Sequence, residues 1–320
     1  GFDTPAPDAA TAQALRALQT GDHAVFDRNP IDVTLAGLQP DLLRSAVATL
    51  LASPGYDALA VIVGSSGVGR PELMADAIAA CLPDSDKPVI AYVSPHAPEA
   101  AEALTARGVP AFVAAESCAV ALAGMLLAGG IMVAAVLVQY STGLAEAMQW
   151  QRNAGSGVRW LTSHLCHWSW NHLAWDVFAF GLLSLLSLRV APSRYLPCLL
   201  AAAMLIPLEI RINQPMLDSY RGLSGIDGAL FGLVATALWR QPSTDRRGAA
   251  AQLLAVLGGC GFLAKTLYEL TTGGTLFVEA GPEPFIPVIS AHLVGFLCGV
   301  GAGVIKPIRA PRSGHRESIT

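Results

Sequence analysis

The sequence predicts a multi-domain protein: an N-terminal α/β domain built on a parallel sheet, followed by an all-α bundle of six transmembrane helices. Hydrophobic residues make up 53% of the 320-residue chain and charged residues 14%, and the mean hydropathy is +0.48, which is apolar for a water-soluble protein. That average hides a break. Residues 1–115 carry charge at ordinary soluble density, whereas from Val120 onward charges retreat into short clusters between apolar runs. The first part also alternates apolar runs with helical stretches, the pattern of strand–helix–strand units. These observations divide the chain into an α/β domain (1–117), a membrane domain (118–305) and a basic tail (306–320).

In the first domain, residues 56–63 form an apolar run that reads as a buried strand, and residues 71–82 read as a helix with Pro71 at its start. Residues 88–93 are a second strand, 97–107 a second helix and 110–113 a third strand. The Gly64-Ser65-Ser66-Gly67-Val68-Gly69-Arg70 segment has the glycine spacing of a phosphate loop, but Arg70 and Pro71 stand where that motif needs Lys and Ser or Thr. A glycine-rich strand-to-helix loop is therefore expected.

Asn29-Pro30-Ile31-Asp32-Val33-Thr34, Asp57-Ala58-Leu59-Ala60-Val61-Ile62, Lys87-Pro88-Val89 and Gly108-Val109-Pro110-Ala111-Phe112 resemble the flavodoxin-like C-terminal domain of ADP-forming acyl-CoA synthetases, over residues 10–125. The resemblance implies a flavodoxin-like, cytosolic CoA-ligase-like domain. The family's CoA-binding domain, phosphohistidine loop and ATP-grasp domain have no counterpart here. His23 and His96 are expected to be surface loop residues, and the segment alone is not expected to make acyl-CoA.

The second domain holds six candidate spans, at about 118–139, 168–188, 194–210, 223–239, 249–270 and 287–305, each near the length of about 20 residues that a bilayer requires. The first equally reads, over 115–127, as the last helix of the α/β domain. Cations gather in alternate connections: Arg189 and Arg194; Arg240, Arg246 and Arg247 against Asp245; and Lys306, Arg309, Arg312 and Arg316 in the tail. The 271–286 connection carries Glu279 and Glu283. By the positive-inside rule the protein is multi-pass in the inner (cytoplasmic) membrane with both termini cytoplasmic. The net charge of −4 gives no reason to expect a nucleic-acid partner. Cys81, Cys118, Cys166, Cys198, Cys260 and Cys298 lack metal-type spacing and read as reduced, mostly core residues; no metal or cofactor is expected. The start at Gly1 and the lack of a signal peptide are expected of a processed or truncated product.

Two short segments carry the chemistry. Gly222-Leu223-Ser224-Gly225 opens the fourth span, and Ala291-His292-Leu293-Val294-Gly295 lies near the start of the sixth. A nucleophile and a base on separate spans can meet where glycine lets helix backbones approach. On the expected topology the second, fourth and sixth spans begin at one face, so Ser224, His292, His167 and His172 share one depth. His172 and Asp176 lie one helical turn apart on one face. Ionisable residues within a membrane are costly, so function is the default expectation for them. His164, His167, His172 and Asp176 also invite a zinc reading, but no HExxH spacing supports it. Lys265 and Glu269 read as an interfacial pair, and Tyr220 and Arg221 as part of a loop over the site.

The six spans, Arg159 before the second, the spacing of His167, His172 and position 176, Gly-Leu-Ser-Gly at 222–225 and Ala-His-x-x-Gly at 291–295 together resemble rhomboid intramembrane serine proteases, over about 118–305. The Trp-rich approach to the second span is somewhat similar to the bacterial rhombosortase branch. The resemblance implies that Ser224 attacks the scissile carbonyl, that His292 is its general base, and that the Ser224 amide, His172 and residue 176 face the oxyanion, with His167 and Gly222 in support. It also implies a membrane-protein substrate with a transmembrane helix. Two positions depart from the family: Asp176 replaces the usual Asn, serving either as a protonated donor or as an orienter of His172, and Gly228 stands where an aromatic often stacks on the histidine. Two alternatives follow, a catalytically silent rhomboid-like binding protein and a CoA- or nucleotide-binding accessory protein.

Overall fold

The computed structural model describes residues 2–18, 26, 28–33, 39–154, 157–242, 246–276 and 288–305. His23, Thr34, Asp245, Glu279, Glu283 and the basic tail lie outside the described residues. The chain forms two compact units, Gly1–Leu122 and Ala123–Thr320.

The first unit begins with α1 (Ala9–Leu18), capped by Asp8, whose carboxylate accepts the Thr11 amide at 2.8 Å and the Thr11 hydroxyl at 2.9 Å. These bonds hold the Asp8 carboxyl below its usual range. After α2 (Pro40–Ala52) come β1 (Leu59–Val63), α3 (Ser65–Val68), α4 (Pro71–Ala79), β2 (Val89–Val93), α5 (Pro98–Ala106) and β3 (Ala111–Phe112). Three of these helices carry Pro in the first turn, where a missing N–H costs nothing. The strands form a parallel sheet in the order β1-β2-β3, with Val63 beside Val93 and Tyr92 beside Phe112. Leu43, Val47, Val63, Met74, Ile78, Val93 and Leu104 make its core. The expected burial of the first strand holds on one side only: Ile62 is 60% exposed. The glycine-rich segment is a packing junction, because a Cβ on Gly67 would stand 2.9 Å from Val63 Cγ1 and 3.3 Å from Met74 Cε. His96 is exposed in the loop after β2.

The helix α6 (Ala115–Gln139) starts in the first unit and continues into the second, so the division between the units falls inside it. Both readings of residues 115–127 therefore describe parts of one helix. Then follow α7 (Thr142–Met148), β4 (Trp150–Gln151), α8 (Val158–Thr162), α9 (Trp170–Val190), α10 (Pro192–Asn213), β5 (Ser219–Tyr220), α11 (Ser224–Trp239), α12 (Arg246–Thr272) and α13 (Ile289–Val304). Among the described residues α6, α9, α10 and α12 are long and apolar enough to cross a membrane; α11 and α13 are apolar but 16 residues long. Leu126, Val133 and Leu137 on α6, and Leu254, Leu257, Leu267 and Leu270 on α12, are all more than half exposed. A surface so apolar is a liability in water and suits lipid, which makes this a membrane-associated protein.

The centre of the second unit is α11, buried almost all round from Gly225 to Val234. Its closest neighbour is α13, and glycine makes the approach possible. A Cβ on Gly295 would collide with the Gly225 carbonyl oxygen, and one on Gly299 with that of Ala229. At the far end of the pair, Arg194 donates to the carbonyls of Ala302 (3.3 Å) and Gly303, and Arg240 to that of Val304 (3.4 Å), so both cations close the C-terminus of α13. Cys81, Cys118, Cys166 and Cys198 are buried, Cys298 is half-buried and Cys260 is exposed; none is disulfide-bonded.

Candidate active site

A small scaffold sets the entry to α11. The two-residue strands β4 and β5 pair antiparallel, Trp150 with Tyr220 and Gln151 with Ser219. Beside them the Arg152 guanidinium donates to the carbonyls of Ile210 (3.3 Å), Arg211 (3.0 Å), Leu217 (3.2 Å) and Gln214, closing the C-terminus of α10 and tying down the segment that leads to the site. We expect Arg152→Ala to cost about 2–3 kcal/mol, since bonds to a charged donor are lost and several carbonyls are orphaned. A lowered unfolding midpoint in detergent would show it; an unchanged midpoint would refute this anchoring role.

Gly222 turns the chain into α11 with φ +130, a conformation that L side chains rarely adopt, and a Cβ there would meet the His172 ring at 3.2 Å and Asp176 Oδ2 at 3.4 Å. Its amide donates to Ser163 O at 3.2 Å, so it supports the turn and is not free for an oxyanion. Its carbonyl lies 3.2 Å from His164 Nδ1 and accepts from the Tyr220 hydroxyl at 3.3 Å. Burial pushes the Tyr220 hydroxyl well up, so it stays a neutral donor. The other His164 nitrogen stands 3.2 Å from Ala203 O. Burial lowers the His164 pKa, so the ring is neutral and one of the two carbonyls receives its N–H.

The first turn of α11 has no cap of its own. Asp176, on α9, supplies one: its Oδ2 accepts the amides of Leu223 at 2.9 Å and Ser224 at 3.1 Å. The same oxygen lies 3.2 Å from His167 Nε2 and 3.3 Å from His172 Nε2. Asp176 thus accepts two backbone amides through this oxygen and lies beside both imidazoles. It sits on the Ser224 amide, the donor expected to face an oxyanion, with the His172 ring beside it. The turn that holds His172 is fixed by Ser169, whose hydroxyl accepts the His172 amide at 3.1 Å.

Ser224, His292, His172 and Asp176 line one cavity of about 680 Å³ between α9, α11, α12 and α13. Ser224 is half-buried, and the His292 side chain is 14% exposed. Among the described residues no hydrogen bond joins Ser224 Oγ to the His292 ring. A Cβ on Gly228 would stand 2.8 Å from His292 O. An aromatic at that position would force α11 and α13 apart, and this contact is a physical reason for the departure at Gly228. Asp227 lines the same cavity, and among the described residues its buried Oδ1 has no hydrogen-bond partner. At the mouth the Arg221 guanidinium lies over the Trp168 ring at 4.4 Å and donates to Gln149 Oε1 at 2.9 Å. Arg159, singled out before the second span, donates to Gln151 Oε1 at 2.7 Å and serves the β4 side of the scaffold.

The structure also brings in a residue that the sequence reading set aside. Glu269 is 2% exposed, 2.6 Å from Lys265 Nζ through Oε1 and 3.6 Å from His292 Nδ1 through Oε2. Its signal in the sequence was the four-residue spacing from Lys265, which fits an interfacial pair equally well. Among the described residues no group of three or more His, Cys, Asp or Glu is placed to hold a metal ion; His167 and His172 both turn to Asp176 instead. No protein-family model matches the chain, and no curated protein matches it.

Proposed function

We propose that the chain is an intramembrane serine endopeptidase of the rhomboid kind, cutting transmembrane or membrane-proximal segments of other membrane proteins. The observation that carries this reading is that Ser224 and His292 line one cavity beside the capped N-terminus of α11. The cavity is large enough for several side chains of an unwound segment. In this reaction the Ser224 Oγ attacks the scissile carbonyl while its proton passes to the His292 imidazole, and the carbonyl electron pair moves onto oxygen. The C–N bond then breaks and the imidazolium returns the proton to the leaving amine. Water, activated in the same way, releases the acyl group. One oxyanion donor contributes about 3 kcal/mol in such a site, and the Ser224 amide and His172 are the candidates. No cofactor enters these steps. In the same proposal the protein is multi-pass in the inner membrane with both termini cytoplasmic, and the first unit is a CoA-ligase-like, flavodoxin-like accessory domain.

Labelling of the purified protein in detergent with a fluorophosphonate probe tests this. We expect labelling that Ser224→Ala and His292→Ala both abolish. Equal labelling of Ser224→Ala would refute the nucleophile. A second reading is favoured by one observation, the hold of Asp176 on the Leu223 and Ser224 amides. With those donors occupied, the protein would bind membrane helices without cutting them, and folded wild-type protein would stay unlabelled.

A further inference from the structure

We propose that Glu269 is a positioning residue for His292, so that the site works as a Ser224–His292–Glu269 triad braced by Lys265. The inference rests on the reading of Ser224 and His292 as nucleophile and base. α12 is a largely exposed apolar helix, and Glu269 is one of the few residues it buries. An interfacial pair would carry both charged heads outward, as snorkelling side chains do. This pair turns inward: the Lys265 side chain is 27% exposed and that of Glu269 only 3%. A carboxylate placed there is costly unless it is paired.

The two oxygens of Glu269 have different surroundings. Oε1 takes the Lys265 ammonium at 2.6 Å. Oε2 is buried, takes no hydrogen bond among the described residues and lies 3.6 Å from His292 Nδ1. That separation is longer than a hydrogen bond, and catalytic contacts of this kind tighten when substrate arrives. A carboxylate on Nδ1 holds the proton there and leaves the Nε2 lone pair for the Ser224 hydroxyl. It then faces the imidazolium that forms when the serine proton is transferred. Lys265 keeps the carboxylate from swinging away.

Two measurements test this. The first compares fluorophosphonate labelling rates of wild type, Glu269→Ala and Glu269→Gln in detergent. Glu269→Ala should slow labelling by about ten- to hundredfold, and Glu269→Gln, which keeps an acceptor for the Nδ1 proton, should recover part of the loss. Because Glu269→Ala leaves Lys265 uncompensated, the Lys265→Met, Glu269→Leu double variant serves as a charge-free version and should show the same loss. The second measurement is the ring ¹⁵N spectrum of His292, assigned by difference from His292→Ala and recorded in the Ser224→Ala background. It should report a proton on Nδ1 with Glu269 present and a shift toward the other tautomer without it. Unchanged ring shifts, or labelling of both charge-removing variants within about threefold of wild type, would overturn the positioning role. An unlabelled wild type with Glu269-dependent ring shifts would instead overturn the nucleophile while the Glu269–His292 contact stands.

Discussion

Asp176→Asn is expected to raise the fluorophosphonate labelling rate at Ser224 by about ten- to hundredfold while lowering stability by about 1–2 kcal/mol. The carboxylate caps α11 through the amides of Leu223 and Ser224, and one of those amides is the donor a developing oxyanion needs. Bonds to a charged acceptor are roughly twice as strong as neutral ones, so a probe must displace a firmly held group to reach the Ser224 N–H. Asn keeps the shape and some of the cap, but its amide oxygen competes less strongly and its NH2 can itself donate to the oxyanion. Removing the charge also removes the repulsion between a carboxylate and the negative oxygen formed beside it. The stability loss comes from the weaker cap and from the lost contacts with His167 and His172, at 3.2 and 3.3 Å. Labelling rate and unfolding midpoint should therefore move in opposite directions. A fall in both would mean that the ionised carboxylate is needed to orient His172, and would sink the idea that it obstructs the site.

The sequence is most legible where a local pattern reports on local structure. The alternation of apolar runs and helical stretches in residues 56–113 marks β1, α4, β2, α5 and β3, since each element shows its own periodicity. Each of the six expected spans overlaps an apolar helix, four of them long enough to cross a membrane, because composition alone marks such segments. Ser224 and His292 stand out because a nucleophile and a base among small residues at helix starts are unusual neighbours. What the sequence hides is pairing across distance. Nothing near Asp176 announces that it will cap a helix that begins 48 positions later. The strands β4 and β5 are two residues each, too short for any alternation to show. Arg152 looks like an ordinary loop cation until the carbonyls at the end of α10 are seen around it. On α12 the spacing of Lys265 and Glu269 shows that they share a face. Which face turns inward is decided by packing, because the helix is apolar nearly all round.

Gly295→Ala should slow labelling by about a hundredfold and destabilise the second unit, although it adds a single methyl group. Along α13, Gly295, Gly299 and Gly303 recur every fourth residue and face α11. A methyl group at Gly295 would overlap the Gly225 carbonyl oxygen and stand 2.9 Å from the Gly225 carbonyl carbon, next to Ser224. Backbone cannot rotate away as a side chain can, so the helices must part. Overpacking of this kind costs about 1–3 kcal/mol, and a displacement of about 1 Å between nucleophile and base is enough to cost about a hundredfold in rate. Gly303→Ala would meet Thr236 Cβ at 2.6 Å, at the end of the helix pair remote from the site. It should lower the midpoint comparably and leave more of the labelling intact. Gly301 supplies the control on the same helix: a Cβ there meets nothing within 4 Å, so Gly301→Ala should leave labelling unchanged and raise stability by about 0.5–1 kcal/mol through the better helix former. If Gly295→Ala and Gly301→Ala labelled alike, close contact between α11 and α13 would not be what sets Ser224 against His292. The loss seen only at Gly295 would tie the chemistry to the close approach of the α11 and α13 backbones beside Ser224.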